Sequence, residues 1–243
     1  MPRRCGTTRE ALAKAGAVEG LFDQFDGHLK AKGYLAMGGQ IIDATIVPAP
    51  RQRNSRDDNA MVKAGETPPE WEAHPAKNRQ KDKDARWTKK HGRSHFGYKN
   101  HIGIDRRHKL VRRYAVSSAS VHDSQKFDDV LDPDNTASSV WADSAYRSAE
   151  TEAKLAERGM TSHIHRRGSR GKPLTPRQEE ANKTRSKVRA RVEHIFGCQH
   201  NSMGGKFVRT IGIVRAGVKI GMQNLAYNMR RLVVLERETA VAT

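Results

Sequence analysis

The chain has 243 residues, enough for one sizeable domain or one domain with a small appendage. Its 45 Lys and Arg outweigh 27 Asp and Glu, a formal charge of +18. That excess calls for a polyanionic partner, and nucleic acid is the first candidate because neutralised phosphates release counterions. No apolar run reaches bilayer-spanning length, and no secretory signal is evident. Cys5 and Cys198 form neither a CxxC pair nor a zinc pattern. A cytoplasmic, nucleoid-associated protein with reduced thiols and no membrane partner is expected.

Residues 9–36 carry Leu12, Val18, Leu21, Phe22, Phe25, Leu29 and Leu35 at mixed helical spacings, with Gly33 as a stop. Residues 1–38 therefore read as a helical lead-in. Gly38-Gly39 turns the chain into a strand at 40–47, closed by Pro48 and Pro50. Residues 48–92 are rich in Pro, Lys, Arg, Asp and Glu and poor in large apolar residues, so a flexible basic insertion is expected there. Its Trp71 and Trp87 either dock locally or stack on bases. Partial alternation at 95–105 and 110–116, around Arg106-Arg107-His108-Lys109, predicts an antiparallel hairpin.

A helix starting at Ser120 or at His122-Asp123, with Phe127, Val130 and Leu131 on one face, is broken at Pro133. A strand at 139–143, a helix at about 147–158 and a short strand at 162–165 follow. After the basic loop 166–177, a long helix over 176–197 carries Val188, Val192, Ile195 and Phe196 on its apolar side. Arg185, Arg189 and Glu193 fall on another stripe of that helix. A last helix, about 215–236, aligns Val218, Met222, Leu225, Met229 and Leu232, and 237–243 reads as a tail. The order is mixed α/β: a central sheet flanked by helices, with a charged insertion after the first strand.

Three acids in this basic chain need a physical reason. Asp43 lies inside Ile41-Ile42-Asp43-Ala44-Thr45-Ile46-Val47, where an unpaired carboxylate costs several kcal/mol. Asp143 ends Val140-Trp141-Ala142-Asp143, and Glu193 sits among Arg189, Arg191 and His194. Taken singly, Asp143 is also what a turn or cap looks like, and Glu193 what a solvated helix face looks like. Together, two acids on strands and one on a helix are the donor set of a Mg²⁺ (or Mn²⁺) site for phosphoryl transfer. Residues 77–113 hold 14 Lys or Arg against three acids, and 166–191 hold 10 against two. These stretches are the expected contacts to a phosphate backbone.

Ile42-Asp43-Ala44-Thr45, Trp141-Ala142-Asp143-Ser144-Ala145-Tyr146 and Arg189-Ala190-Arg191-Val192-Glu193-His194-Ile195-Phe196-Gly197 resemble the three acidic motifs of DDE transposases of bacterial insertion sequences, in the insertion-sequence-five superfamily. Lys99-Asn100-His101, Val121-His122-Asp123-Ser124 and Asn224-Leu225-Ala226-Tyr227-Asn228 are similar to that family's connecting segments. The resemblance runs over about residues 17–236. It implies a ribonuclease-H-like domain at 39–236, with Asp43, Asp143 and Glu193 as the metal-binding catalytic triad. It also implies DNA cleavage and strand transfer on double-stranded DNA, at element ends and target, by a homo-oligomer. Arg189, Arg185, Lys99, His200, Arg166 and Arg167 are the candidate DNA-binding residues. A degenerate DNA-binding protein and a Mg²⁺-dependent nuclease are the rival readings.

Two departures from the family pattern carry information. In the last motif Ser186 stands where Tyr is usual, and His200 where Lys is usual. A histidine is mostly neutral at pH 7, so weaker or pH-dependent DNA engagement is expected there. The family also carries a helical end-binding segment ahead of the region that begins here near Ala17, so the chain reads as shortened at its N-terminus.

Overall fold

The computed structural model describes residue 8 and residues 10–242. Cys5 lies outside them. Helix α1 (Ala17–Ala31) precedes strand β1 (Gln40–Pro48). Helices α2 (Arg56–Ala64), α3 (Pro69–Ala73) and α4 (Pro75–Gln80) lead to strands β2 (Arg86–Lys90), β3 (Arg93–Asp105) and β4 (Val111–Ser118). A 3₁₀ turn, Asp123–Lys126, and α5 (Phe127–Val130) lead to β5 (Ser139–Ala142). Then come a 3₁₀ turn at Ser144–Tyr146, α6 (Ala149–Glu157), β6 (Thr161–Ser162), α7 (Pro176–Asn201) and α8 (Ile213–Ala242).

The sheet runs β2–β3–β1–β5–β6, with β4 also paired to β3. β1 is antiparallel to β3 and parallel to β5, β3 is antiparallel to β4, and β5 is parallel to β6. This six-stranded mixed sheet, flanked by helices, is ribonuclease-H-like. Alternate residues face opposite layers. Ile41, Ile102, Ile104 and Trp141 pack against Phe22 of α1, Val192, Ile195 and Phe196 of α7, and Leu225 and Tyr227 of α8. Ile42, Val140 and Ala142 face the other way, onto Phe127 and Val130 of α5 and Leu155 of α6. Among the described residues no helix is long and apolar enough to cross a membrane.

The region after β1, read as a flexible basic insertion, carries three short helices. Ser55 and Asp58 form a capping box on α2, and Pro69 and Pro75 open α3 and α4. Trp71 is buried, so it docks locally, and Lys81 lies over its ring. The Tyr98 hydroxyl donates to buried Asp82, whose Oδ1 also accepts the Asp84 and Ala85 N–H groups. Local caps and one buried carboxylate thus order a segment whose apolar content is low. At the other end of the chain, α8 continues to Ala242, into the stretch read as a tail.

Two amides anchor α8. Asn224 accepts from Asn100 and Gln199 and donates back to Asn100, joining α8, β3 and α7 in a buried cluster. Asn228 accepts the Val111 N–H at 2.9 Å and donates to the Val111 carbonyl at 2.7 Å. It stands in for the missing neighbour strand of β4. Asn228→Leu would leave both backbone groups buried and unpaired, and is expected to cost about 2–4 kcal/mol in denaturant unfolding. A loss under about 0.5 kcal/mol would show that Val111 finds other partners.

Candidate active site

β5 pairs with β1 only as far as Ala142 opposite Ile42. β1 continues, so its edge opens immediately beyond that point. The next residue on each chain is an acid, Asp43 on β1 and Asp143 after β5. Their alternation matches Ile41 and Trp141, which places both on the sheet face that carries α7. Adjacent strands lie about 4.8 Å apart, so these are neighbouring carboxylates.

One oxygen of each is held by the backbone that follows it. Asp43 Oδ1 accepts the Ala44 N–H at 2.8 Å, and Asp143 Oδ1 accepts the Ser144 N–H. The other two oxygens turn to one guanidinium. Arg189 Nη2 is 2.7 Å from Asp43 Oδ2 and 3.9 Å from Asp143 Oδ2. The Asp43 side chain is 16% exposed and that of Asp143 46%. Burial pushes the Asp43 carboxyl above its ordinary range; Arg189 and the Ala44 N–H oppose this, and Asp143 reinforces it. Buried Tyr146, in the 3₁₀ turn after Asp143, is pushed well above the usual phenol range by its burial and then by Asp43.

Two oxygens fixed by backbone and two converging on a single cation make a donor set suited to a hard divalent ion, which takes carboxylate oxygens and keeps several waters. Asp43 and Asp143 therefore fit Mg²⁺ or Mn²⁺. Glu193 is exposed, one turn beyond Arg189 on the same stripe of α7. Among the described residues no three His, Cys, Asp or Glu side chains form a metal-binding group, so this structure gathers two of the three expected acids. The Arg189 guanidinium stands where they meet.

The stripe of α7 that carries Arg185, Arg189 and Glu193 extends to His200, and a basic concavity lies toward each end. Near the helix start, Arg147, Arg166, Arg167 and Lys172 line a space of about 450 Å³, adjoined by one lined by Arg166, Arg177 and Arg185. The loop is clamped there: Asn182 accepts the Arg166 N–H and donates to its carbonyl, and Arg185 donates to the Ile164 carbonyl. Burial lowers the Arg185 pKa, and the nearby Arg166 and Arg147 add to it. Toward the helix end, Thr45, Lys90, His91, Arg93, His95, His200 and Lys206 line a cleft of about 510 Å³. Burial, then Lys206, lowers the His200 pKa, so it is neutral at pH 7.

Lys99 is placed differently from the sequence expectation. It is mostly buried, pairs with Asp123 at 2.7 Å and donates to the Val121 carbonyl, on the sheet face away from α7. Its charge is used internally. Arg147 and Lys206 were not singled out in the sequence. Arg147 directly follows the second acidic motif, and that position was its only signal.

A sheet of this topology, with paired acids where its two central parallel strands part, defines the ribonuclease-H-like class. Residues 35–229 match the family described as "Transposase DDE domain", and the chain belongs to that family of DNA transposases. It is 27% identical over 227 residues to "Transposase for insertion sequence element IS1106" of Neisseria meningitidis serogroup B, covering 91% of this chain and 75% of that protein. No solved structure matches the chain significantly.

His101 backs the site from the opposite sheet face. It is fully buried, with Nε2 2.8 Å from Ser117 Oγ and Nδ1 without a hydrogen-bond partner. Burial is the main cause that lowers its pKa to about 4. Between about pH 4 and 6.5 the folded protein binds fewer protons here than the unfolded chain. The contribution is therefore complete above about pH 6.5 and lost as pH falls to 4, up to about 3 kcal/mol. His101→Gln is expected to flatten that acid limb in unfolding free energies measured at pH 7 and 4.5. Parallel loss in both proteins would assign the limb to other groups.

Proposed function

We propose that this chain cuts DNA at the ends of an insertion sequence and joins the released 3′-hydroxyls to target DNA. The observation that carries this reading is the convergence of Asp43 and Asp143 on one cation position, in a chain of the DDE transposase family. A divalent ion held by these acids would supply charge stabilisation for in-line displacement at phosphorus. Asp43 and Asp143 would hold it, each oriented by the N–H of the next residue. Glu193 is the third acid of the working site, one turn from Arg189 on the helix that crosses the pair.

The rest is positioning. Arg185 and His200 are 15 residues apart on α7, about 22 Å along the axis. That spans about six phosphates of one strand at about 3.4 Å each. Arg147, Arg166, Arg167 and Lys172 grip one flank of the duplex, and Arg93, His95, His200 and Lys206 the other. These contacts fix register without reading bases. Joining both ends of an element to one target takes two such sites, so the working form is a multimer on DNA.

Supercoiled plasmid with Mn²⁺ or Mg²⁺ tests the reading, wild type beside Asp143→Asn. Nicking and joining of a precut 3′ end, both lost in the variant, are expected. Nicking without joining would make the chain a nuclease. Salt-sensitive binding with no metal-dependent cleavage would make it a DNA-binding relic.

His200→Lys places a permanent charge in the second cleft. At pH 7.5 it is expected to tighten DNA binding and to steepen the log K–log salt slope by about one unit. Wild-type binding should approach that of the variant only as pH falls through the lowered His200 pKa. Unchanged affinity and slope would remove His200 from the DNA path.

A further inference from the structure

The carboxylate oxygens that converge between β1 and β5 already have an occupant. Arg189 Nη2 lies 2.7 Å from Asp43 and 3.9 Å from Asp143, and the side chain is largely buried. Its Nε is buried and lacks a hydrogen-bond partner. A guanidinium wedged against two acids with one donor unsatisfied is held by charge more than by a complete hydrogen-bond set. We propose that Arg189 is a positioning residue that competes with the divalent ion. It offsets one charge of the acid pair in the metal-free protein and leaves as the ion enters.

This rests on the metal reading of Asp43 and Asp143 and goes beyond it. The guanidinium touches Asp43 Oδ2 and stands between it and Asp143 Oδ2, the space an ion bound by both would fill, so the two states exclude each other. Binding is then coupled to side-chain movement, and the coupling is reciprocal. The released guanidinium stays on α7, between the two basic concavities, one turn from Arg185 and one from Glu193. Metal loading thereby adds a free cation to the surface that meets DNA and unblocks the approach to Glu193. A latch closed nine-tenths of the time weakens apparent metal affinity about tenfold.

Two readouts test this without turnover. Mn²⁺ titration by calorimetry is expected to give about tenfold tighter binding for Arg189→Gln than for wild type. Arg185→Gln, which removes a charge one turn away without touching the acids, should leave the affinity nearly unchanged. Arginine-directed dicarbonyl labelling, read by peptide mass spectrometry, should find Arg189 slow in the metal-free wild type. It should be faster with Mn²⁺, and fast without metal in Asp43→Asn. The labelling uses wild-type protein and stands even if Arg189→Gln fails to fold. Labelling of Arg189 that is unchanged or slowed by Mn²⁺, or an equal affinity gain in both arginine variants, would overturn the latch while leaving the metal site intact. Mn²⁺ binding by neither wild type nor Arg189→Gln would overturn the metal reading and the latch together.

Discussion

Two carboxylates on neighbouring parallel strands repel each other, and one of them is mostly buried. No arrangement of the sheet removes that cost; a cation between them does, as does a proton on one of them. The β1–β5 pairing creates the problem by ending at Ile42 and Ala142, one residue short of both acids. α7 answers it by laying Arg189 across the gap. The position of α7 in turn depends on Val192, Ile195 and Phe196, which pack on Ile41 and Trp141 two residues before the acids. The same contact thus joins the apolar core to the site, and a shift of α7 would move both together.

The two sheet faces divide the labour. The α7 face holds the acids, and its basic concavities open to solvent at either end of the helix. The opposite face takes polar groups of the central strands and closes over them. Lys99 turns into Asp123 there, and His101 meets Ser117. Parity along β3 decides which residues go where. Asn100 and Ile102 face the helices that build the site, while Lys99 and His101 face away. A lysine in a motif beside the site is therefore structural, its charge spent on Asp123 and the Val121 carbonyl.

The sequence carried the central strand, the hairpin, the two long helices and the acids on β1 and β5, because apolar periodicity and an isolated acid in an apolar run are strong local signals. It carried less where order comes from few contacts. β2, Arg86-Trp87-Thr88-Lys89-Lys90, has almost no apolar residue, because an edge strand with both faces near water needs none. The segment before it is ordered by Ser55, two prolines, Trp71 and Asp82, none of which makes a hydrophobic period. Asp105, at the end of β3, is fully buried, accepts the His108 N–H and pairs with Arg112 at 2.9 Å, and so ties the turn to the hairpin through a contact with no periodic signal. The Arg189–Asp43 contact spans 146 residues, and no local pattern could locate it.

α7 is a poor amphipathic helix by composition. Its first 16 residues, Pro176–Arg191, include no fully buried side chain. Its start is fastened by polar means: the Thr175–Gln178 capping box, Asn182 on the Arg166 backbone and Arg185 on the Ile164 carbonyl. These bonds fix the helix without using most of its charge. Arg166, Arg167, Lys172 and Arg177 remain exposed at that end. An apolar face there would have held the helix more firmly but left no room for a cationic wall. The stability given up in the first half is recovered in the second, where Val192, Ile195, Phe196 and Gln199 are buried. The acid pair is held near the boundary between these halves, between the firmly packed part of the helix and the part whose charges are left for a polyanion.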